Sequence, residues 1–304
     1  MPTYKLPVWD IVKETYSFVW NARRDFVLIA TAPVLILTIF VTVMTEFFGA
    51  SSNFGIIEAL DTEETSNVGF HVDALNIGIP YVTYVMFSVA WHRRYLVPNE
   101  RTTVWNALRW EMRKTRFLVR LLIALVLGAT VVISLLVMTI PSVTIFVLLA
   151  GTLSGGWDSS FVRSVEGDEL IGTIVVFSFL MLFLVLLFPV CARLFMWLPA
   201  AAVDDPAGLR ELWRTGRRNT WRFFWILLVA AVPIWIFWTG WLFLPSEIDR
   251  MGLTVILLGH FVMEIFDFIA IAIGVSALSI CYKRLKDAGT PVPADRPEAP
   301  ADPV

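Results

Sequence analysis

The sequence is poor in the residues on which most enzymes and secreted scaffolds depend. Its two cysteines, Cys191 and Cys281, sit inside apolar runs, which excludes a disulfide framework and leaves them the role of small hydrophobes. It has three histidines and no GxSxG, P-loop, HExxH or CxxC pattern, so the common nucleophile, phosphate-cradle and metalloprotease constellations are missing. Charge is scarce too: 16% of residues are Asp, Glu, Lys or Arg, against about 25% in a soluble domain. In their place stand 57% apolar residues, 14% of the total aromatic, and a mean hydropathy of +0.72 over 304 residues. These residues gather into blocks longer than the roughly 20 that cross a bilayer, which excludes soluble enzyme folds and defines an integral membrane protein. The formal net charge of -2 says little, because in such a protein the side on which each charge sits is what matters.

Apolar stretches at about 26–48, 72–92, 117–150, 171–199, 221–244 and 252–282 predict six spans. The third exceeds one crossing, and Pro141 predicts that its span ends near Thr139, with the remainder at the outer surface or folded partly back. Of the 24 Lys and Arg residues, all but Arg163 and Arg250 fall at the two ends or in the second-to-third and fourth-to-fifth connections. The other three connections are acidic. By the positive-inside rule both termini are cytoplasmic, and an odd number of spans would strand a basic end outside. Arg23 and Arg24 sit before the first span like a twin-arginine signal, but no A-x-A site follows and similar clusters recur, so no cleavable signal is expected. The Pro- and Ala-rich segment 288–304 is expected to be disordered.

Aligning Phe26, Phe117 and Trp221 superimposes three passages in which a basic cluster precedes an aromatic that enters the membrane. Upstream of each lies a stretch with apolar residues on one helical face: Val8, Val12, Thr15 and Val19; Val104, Trp105, Leu108 and Met112; Leu209, Leu212, Trp213 and Gly216. Each therefore predicts an amphipathic helix on the cytoplasmic surface, the third N-capped by Asp205 with Pro206 in its first turn. The expected fold is an all-α polytopic domain over 1–287, built from three parallel repeats at about 6–97, 98–200 and 204–287. Each repeat is an interfacial helix followed by two spans. The residues expected at lipid headgroups are Arg23, Arg24, Arg113, Lys114, Arg116, Arg210, Trp213, Arg214, Arg217, Arg218 and Trp221. The partner implied is a bilayer with anionic headgroups; a second membrane protein or a further copy stays open, and nucleic acid is not expected.

The passage "CARLFMWLPAAAVDDPAGLRELWRTGRRNTWRFFWILL", Cys191 to Leu228, resembles the repeat of bacterial inner-membrane proteins related to the membrane domain of glycerophosphoryl diester phosphodiesterases and to the YciC-type family. The ending "SICYKRLKD" is similar as well. The resemblance implies a six-span helical domain in the bacterial cytoplasmic membrane. Where such a domain accompanies a phosphodiesterase, catalysis belongs to a separate soluble barrel, so no catalytic residue and no cofactor are implied here.

One constellation carries chemistry. His260, Glu264 and Asp267 fall at i, i+4 and i+7 of the sixth span, on one helix face near mid-membrane. An ionised acid there costs about 2.5 to 3.5 kcal/mol on the insertion scale. Three arrangements would compensate it: a structural network with Arg193 as the cation or with one acid simply protonated, a proton or cation relay through the two carboxyls and His260, or a metal held by all three. Ala270, Gly274 and Ala277, on one side of the same helix, predict close approach by a neighbour. The function expected is a non-catalytic membrane-organising or transport-associated component, with a proton-coupled transporter of a small solute and a lipid- or phosphodiester-handling enzyme as alternatives.

Overall fold

The computed structural model describes residues 4–48, 67–100, 103–153, 191–242 and 252–289. Among the described residues every regular element is helical: α1 (Val8–Asn21), α2 (Arg23–Phe48), α3 (Asn67–Leu96), α4 (Val104–Leu108), α5 (Met112–Leu153), α6 (Trp197–Ala202), α7 (Leu209–Gly216), α8 (Thr220–Leu242) and α9 (Leu253–Gly289). Three helices are long and apolar enough to cross a membrane, over Arg23–Glu46, within Leu209–Gly240 and over Leu253–Ala288. Most of the expected fourth span, the acidic loops and the tail beyond Gly289 lie outside the described residues.

Composition dictates helices. An unpaired backbone group in an apolar medium costs several kcal/mol, so such segments close their hydrogen bonds internally. The same reasoning explains α5, which runs from Met112 to Leu153 straight through Pro141, where the sequence predicts a break. A proline inside a helix costs about 3 kcal/mol, whereas ending the helix in apolar surroundings would orphan several groups at once. Pro33, Pro80 and Pro233 likewise lie within α2, α3 and α8.

Helix α9 is the centre of the bundle. The half of α9 nearer its C-terminus is enclosed, with Ala272, Ser276, Ala277, Ser279 and Ile280 fully buried among α1, α2, α3 and α8. Of the expected stripe Ala277 is fully buried in this packing, whereas a Cβ added at Gly274 would meet nothing within 4 Å. Outward faces are apolar in the opposite sense. Trp225, Val232, Trp235 and Ile236 of α8 and Leu122 and Val126 of α5 are exposed, a surface that suits lipid and not water.

The three predicted amphipathic helices pack against the bundle. Ile11, Val12 and Thr15 of α1 are buried, the first two in one cluster with Phe223 and Ile226 of α8 and Ala277 and Cys281 of α9. A clamp holds the segment before α1: the Asn219 amide accepts from Leu6 N at 3.0 Å and donates to Tyr4 O at 3.0 Å, and Arg222 donates to Leu6 O at 2.5 Å. Ala107 of α4 is buried in the cluster formed by α2, α3 and α9. Leu212 of α7 packs on the cluster containing Ala192 and Met196. At the end of α7 the chain needs a glycine, since a Cβ at Gly216 would come within 3.3 Å of the Phe223 ring.

Candidate functional site

The stripe of α9 faces α2 and α3. Thr42 on α2 lies 2.9 Å from His260 Nδ1. The Thr42 hydroxyl spends its single proton on the Thr38 carbonyl at 2.7 Å, so toward the imidazole it is an acceptor and Nδ1 carries the hydrogen. Seven residues on, Asp267 accepts a hydrogen bond from Tyr84 of α3. Between them Glu264 is 8% exposed, and its Oε2 is buried without a hydrogen-bond partner, as is Thr38 Oγ1 on the facing helix. Asp267 is the charged neighbour that acts on Glu264. Among the described residues no Lys or Arg pairs with either carboxyl.

Arg193, the cation expected for this stripe, is elsewhere. Its guanidinium lies 3.9 Å from the centroid of the Trp213 ring and donates to Trp213 O at 2.5 Å. Arginine stacks and forks in this way because its planar group is weakly hydrated, and Trp213 of α7 offers it both a ring and a carbonyl. The metal arrangement also fails on geometry: among the described residues no three His, Cys, Asp or Glu side chains are grouped to hold an ion.

On the side nearer the C-terminus of α9 the stripe is closed by aromatics. Phe268 packs edge-on against Phe87 with centroids 4.9 Å apart, and Phe87 stacks on Trp91 at 5.9 Å. Trp91 is fully buried and donates to Ser276 Oγ at 2.8 Å and Ala272 O at 3.0 Å. One residue on, His92 Nδ1 lies 2.7 Å from Ser279 Oγ. None of Thr42, Tyr84 or Trp91 is singled out by the sequence reading. The available signal was the spacing of Tyr84, Ser88, Trp91 and Tyr95, a row of polar-tipped side chains at i, i+4, i+7 and i+11 in an apolar block.

At the end of the bundle that carries α1, α4 and α7, acidic and basic side chains pair. Arg94 meets Asp25 at 2.7 Å, Arg284 meets Glu14 at 2.5 Å, and Arg93 pairs with Glu100. Arg113 and Arg116, expected at headgroups, each reach Asp204 at 3.1 Å. Lys114, expected there too, is buried and donates to Ala107 O and Arg109 O at 2.5 Å, closing the turn between α4 and α5. Asp204 adopts a φ of 56°, a left-handed conformation that Asp tolerates better than most residues. Asp205 does not cap α7, whose N-cap is Gly208. It accepts instead from Ala207 N at 3.0 Å, from the Tyr282 hydroxyl and from Lys286. Burial pushes this carboxyl up, but the bonds from Lys286, Tyr282 and Ala207 outweigh it and hold the group at about 2. Arg23 stacks over the exposed Trp20, and Arg24, Arg210, Arg214, Arg217, Arg218 and Trp221 are exposed.

Compared with protein-family models, curated proteins and solved structures, the chain matches none.

Proposed function

We propose that the protein is a six-span component of the bacterial cytoplasmic membrane that supports transport without catalysis of its own, and that Glu264 and Asp267 share an exchangeable proton which His260 passes toward the outer side. The observation that carries this reading is the pair of carboxyls one turn apart on α9, one of them with a buried, unpartnered oxygen, and neither with a cation among the described residues. Two ionised acids at that depth would add mutual repulsion to a cost of about 2.5 to 3.5 kcal/mol each, so a proton held between them is the inexpensive state. A structural network with Arg193 as its cation would bring that guanidinium to the carboxyls, and it lies instead on Trp213.

The same proposal takes the six spans as three parallel units with both termini cytoplasmic. Contacts support it. The α1 helix of the first unit lies on α8 and α9 of the third; α4 of the second lies on α2 and α3 of the first; α7 of the third lies on the 191–202 segment of the second. Each unit thus lends its cytoplasmic helix to the preceding hairpin, the ring of exchanges expected of three copies about an axis along the membrane normal. A membrane domain of the glycerophosphoryl diester phosphodiesterase type, which Cys191 to Leu228 resembles, has no catalytic part of its own and fits this role.

The test is proton movement by the full chain in liposomes holding a trapped pH-sensitive dye, with melting temperature measured beside it. Wild-type protein should dissipate an imposed pH gradient, and Asp267→Asn and Glu264→Gln should abolish this while keeping or raising Tm. His260→Ala should slow it and move its pH dependence, because imidazole titrates near neutrality. Loss of flux in proportion to loss of Tm would assign the stripe to structure alone.

A further inference from the structure

Six of the cytoplasmic cations, Arg93, Arg94, Arg113, Arg116, Arg284 and Lys286, are paired with carboxylates. The arginines at and beneath α7 are not: among the described residues no acid lies within 4 Å of Arg193, Arg210, Arg214, Arg217 or Arg218. At the centre of this group Arg193 is fixed by the Trp213 ring and carbonyl, its Nε is buried without an acceptor, and the charged side chain acting on it is Arg217, of like sign. Two like guanidinium charges, that of Arg193 half-buried and that of Arg217 exposed in the turn after α7, repel when nothing lies between them. They become favourable when an anion with several acceptor oxygens bridges them, and the planar fork of arginine matches phosphate in just that way.

The position of this pair selects the source of the phosphate. Arg217 to Asn219 form the turn by which the chain enters α8, Trp221 is exposed one residue into that helix, and Trp225, Val232, Trp235 and Ile236 continue an exposed apolar face outward. A headgroup seated on Arg193 and Arg217 would lay its acyl chains along that face. We infer that Arg193, Arg217 and the Trp213 platform form a binding site for the phosphate of an anionic phospholipid. The inference is independent of the proton reading, since the site lies on a different face and on different helices.

The full chain, purified in a neutral detergent, is titrated with short-chain phosphatidylglycerol, with phosphatidylcholine of the same chain length and with inorganic phosphate, following tryptophan fluorescence and Tm. Phosphatidylglycerol should bind about tenfold more tightly than phosphatidylcholine and raise Tm, and Arg217→Gln should weaken it about tenfold, as expected for one charge-assisted hydrogen-bonding group. Arg217 is exposed, so its loss leaves folding intact. Arg193→Lys, which keeps the charge and removes the fork, should weaken it by a smaller factor, and Arg24→Gln should bind as wild type. Equal affinity for the two lipids, an Arg217→Gln variant indistinguishable from wild type, or an equal loss in Arg24→Gln would overturn the site. Displacement of the lipid by millimolar inorganic phosphate would overturn its assignment to a lipid in favour of free phosphate.

Discussion

Acidic residues occur in two regions of this bundle under opposite terms. At one end of the bundle Glu14, Asp25, Glu100, Asp204 and Asp205 each meet a cation, and Glu14 and Asp205 also accept from a tyrosine, Asp205 from a backbone N–H as well. In the middle of α9 Asp267 accepts from Tyr84, and Glu264, one turn away, has no cation partner among the described residues. The difference teaches what each region is for. Near water an ion pair is cheap to form and fixes the angle at which helices leave the membrane. In the apolar interior the same pairing would bury two charges, and on the proposed reading the two carboxyls hold a proton instead.

The largest expected effect lies where the two regions meet. Trp91 fills the layer between the stripe and the collar, so Trp91→Ala should cost about 3 to 5 kcal/mol and lower Tm in both pH-sensitive and pH-insensitive assays. If Tm hardly moved, the aromatic layer would not be the seal described here.

Next comes the collar. Asp205→Ala leaves Tyr282, Lys286 and Ala207 N without their acceptor, a loss of about 2 kcal/mol, since bonds to charged groups are worth about 1.5 to 3 kcal/mol each when buried and less when partly exposed. Its sign with pH follows from the depressed carboxyl. The stabilisation is complete above the ordinary value of about 3.9 and is lost as pH falls through about 2. Acid denaturation of wild type should therefore contain a component between those values that Asp205→Asn lacks; identical acid limbs would contradict it.

A smaller effect is expected at the clamp. Asn219→Ala orphans Leu6 N and Tyr4 O and should cost about 1 kcal/mol, seen as faster proteolysis ahead of α1 with little change in global melting. Unchanged proteolysis would mean that burial of Leu6 and Ile11 alone holds the segment.

How far the sequence reaches follows the range of the interaction. The α-helical class, the starts of α2 and α8 at basic-aromatic elbows, and the shared face of His260, Glu264 and Asp267 follow from local periodicity, which needs no knowledge of neighbours. Partners do not. The Thr42 to His260 contact spans 218 residues and the clamp from Leu6 to Asn219 spans 213, separations set only by how the helices assemble. Asp205 was misread for a related reason: as a local cap it is plausible, but Lys286 and Tyr282, 81 and 77 residues away, compete for the same oxygens and win. Pro141 misleads because in apolar surroundings ending the helix would orphan more backbone groups than the proline itself does.

The smallest stability change is the most direct test. Infrared spectra of the full chain at neutral pH should show the carbonyl stretch of a buried, protonated carboxyl, and Glu264→Gln with Asp267→Asn should remove it while Tm stays level or rises. Absence of that band in wild type, or a double variant that melts several kcal/mol lower, would show that both acids are ionised and paired, and would contradict the proton-carrying stripe.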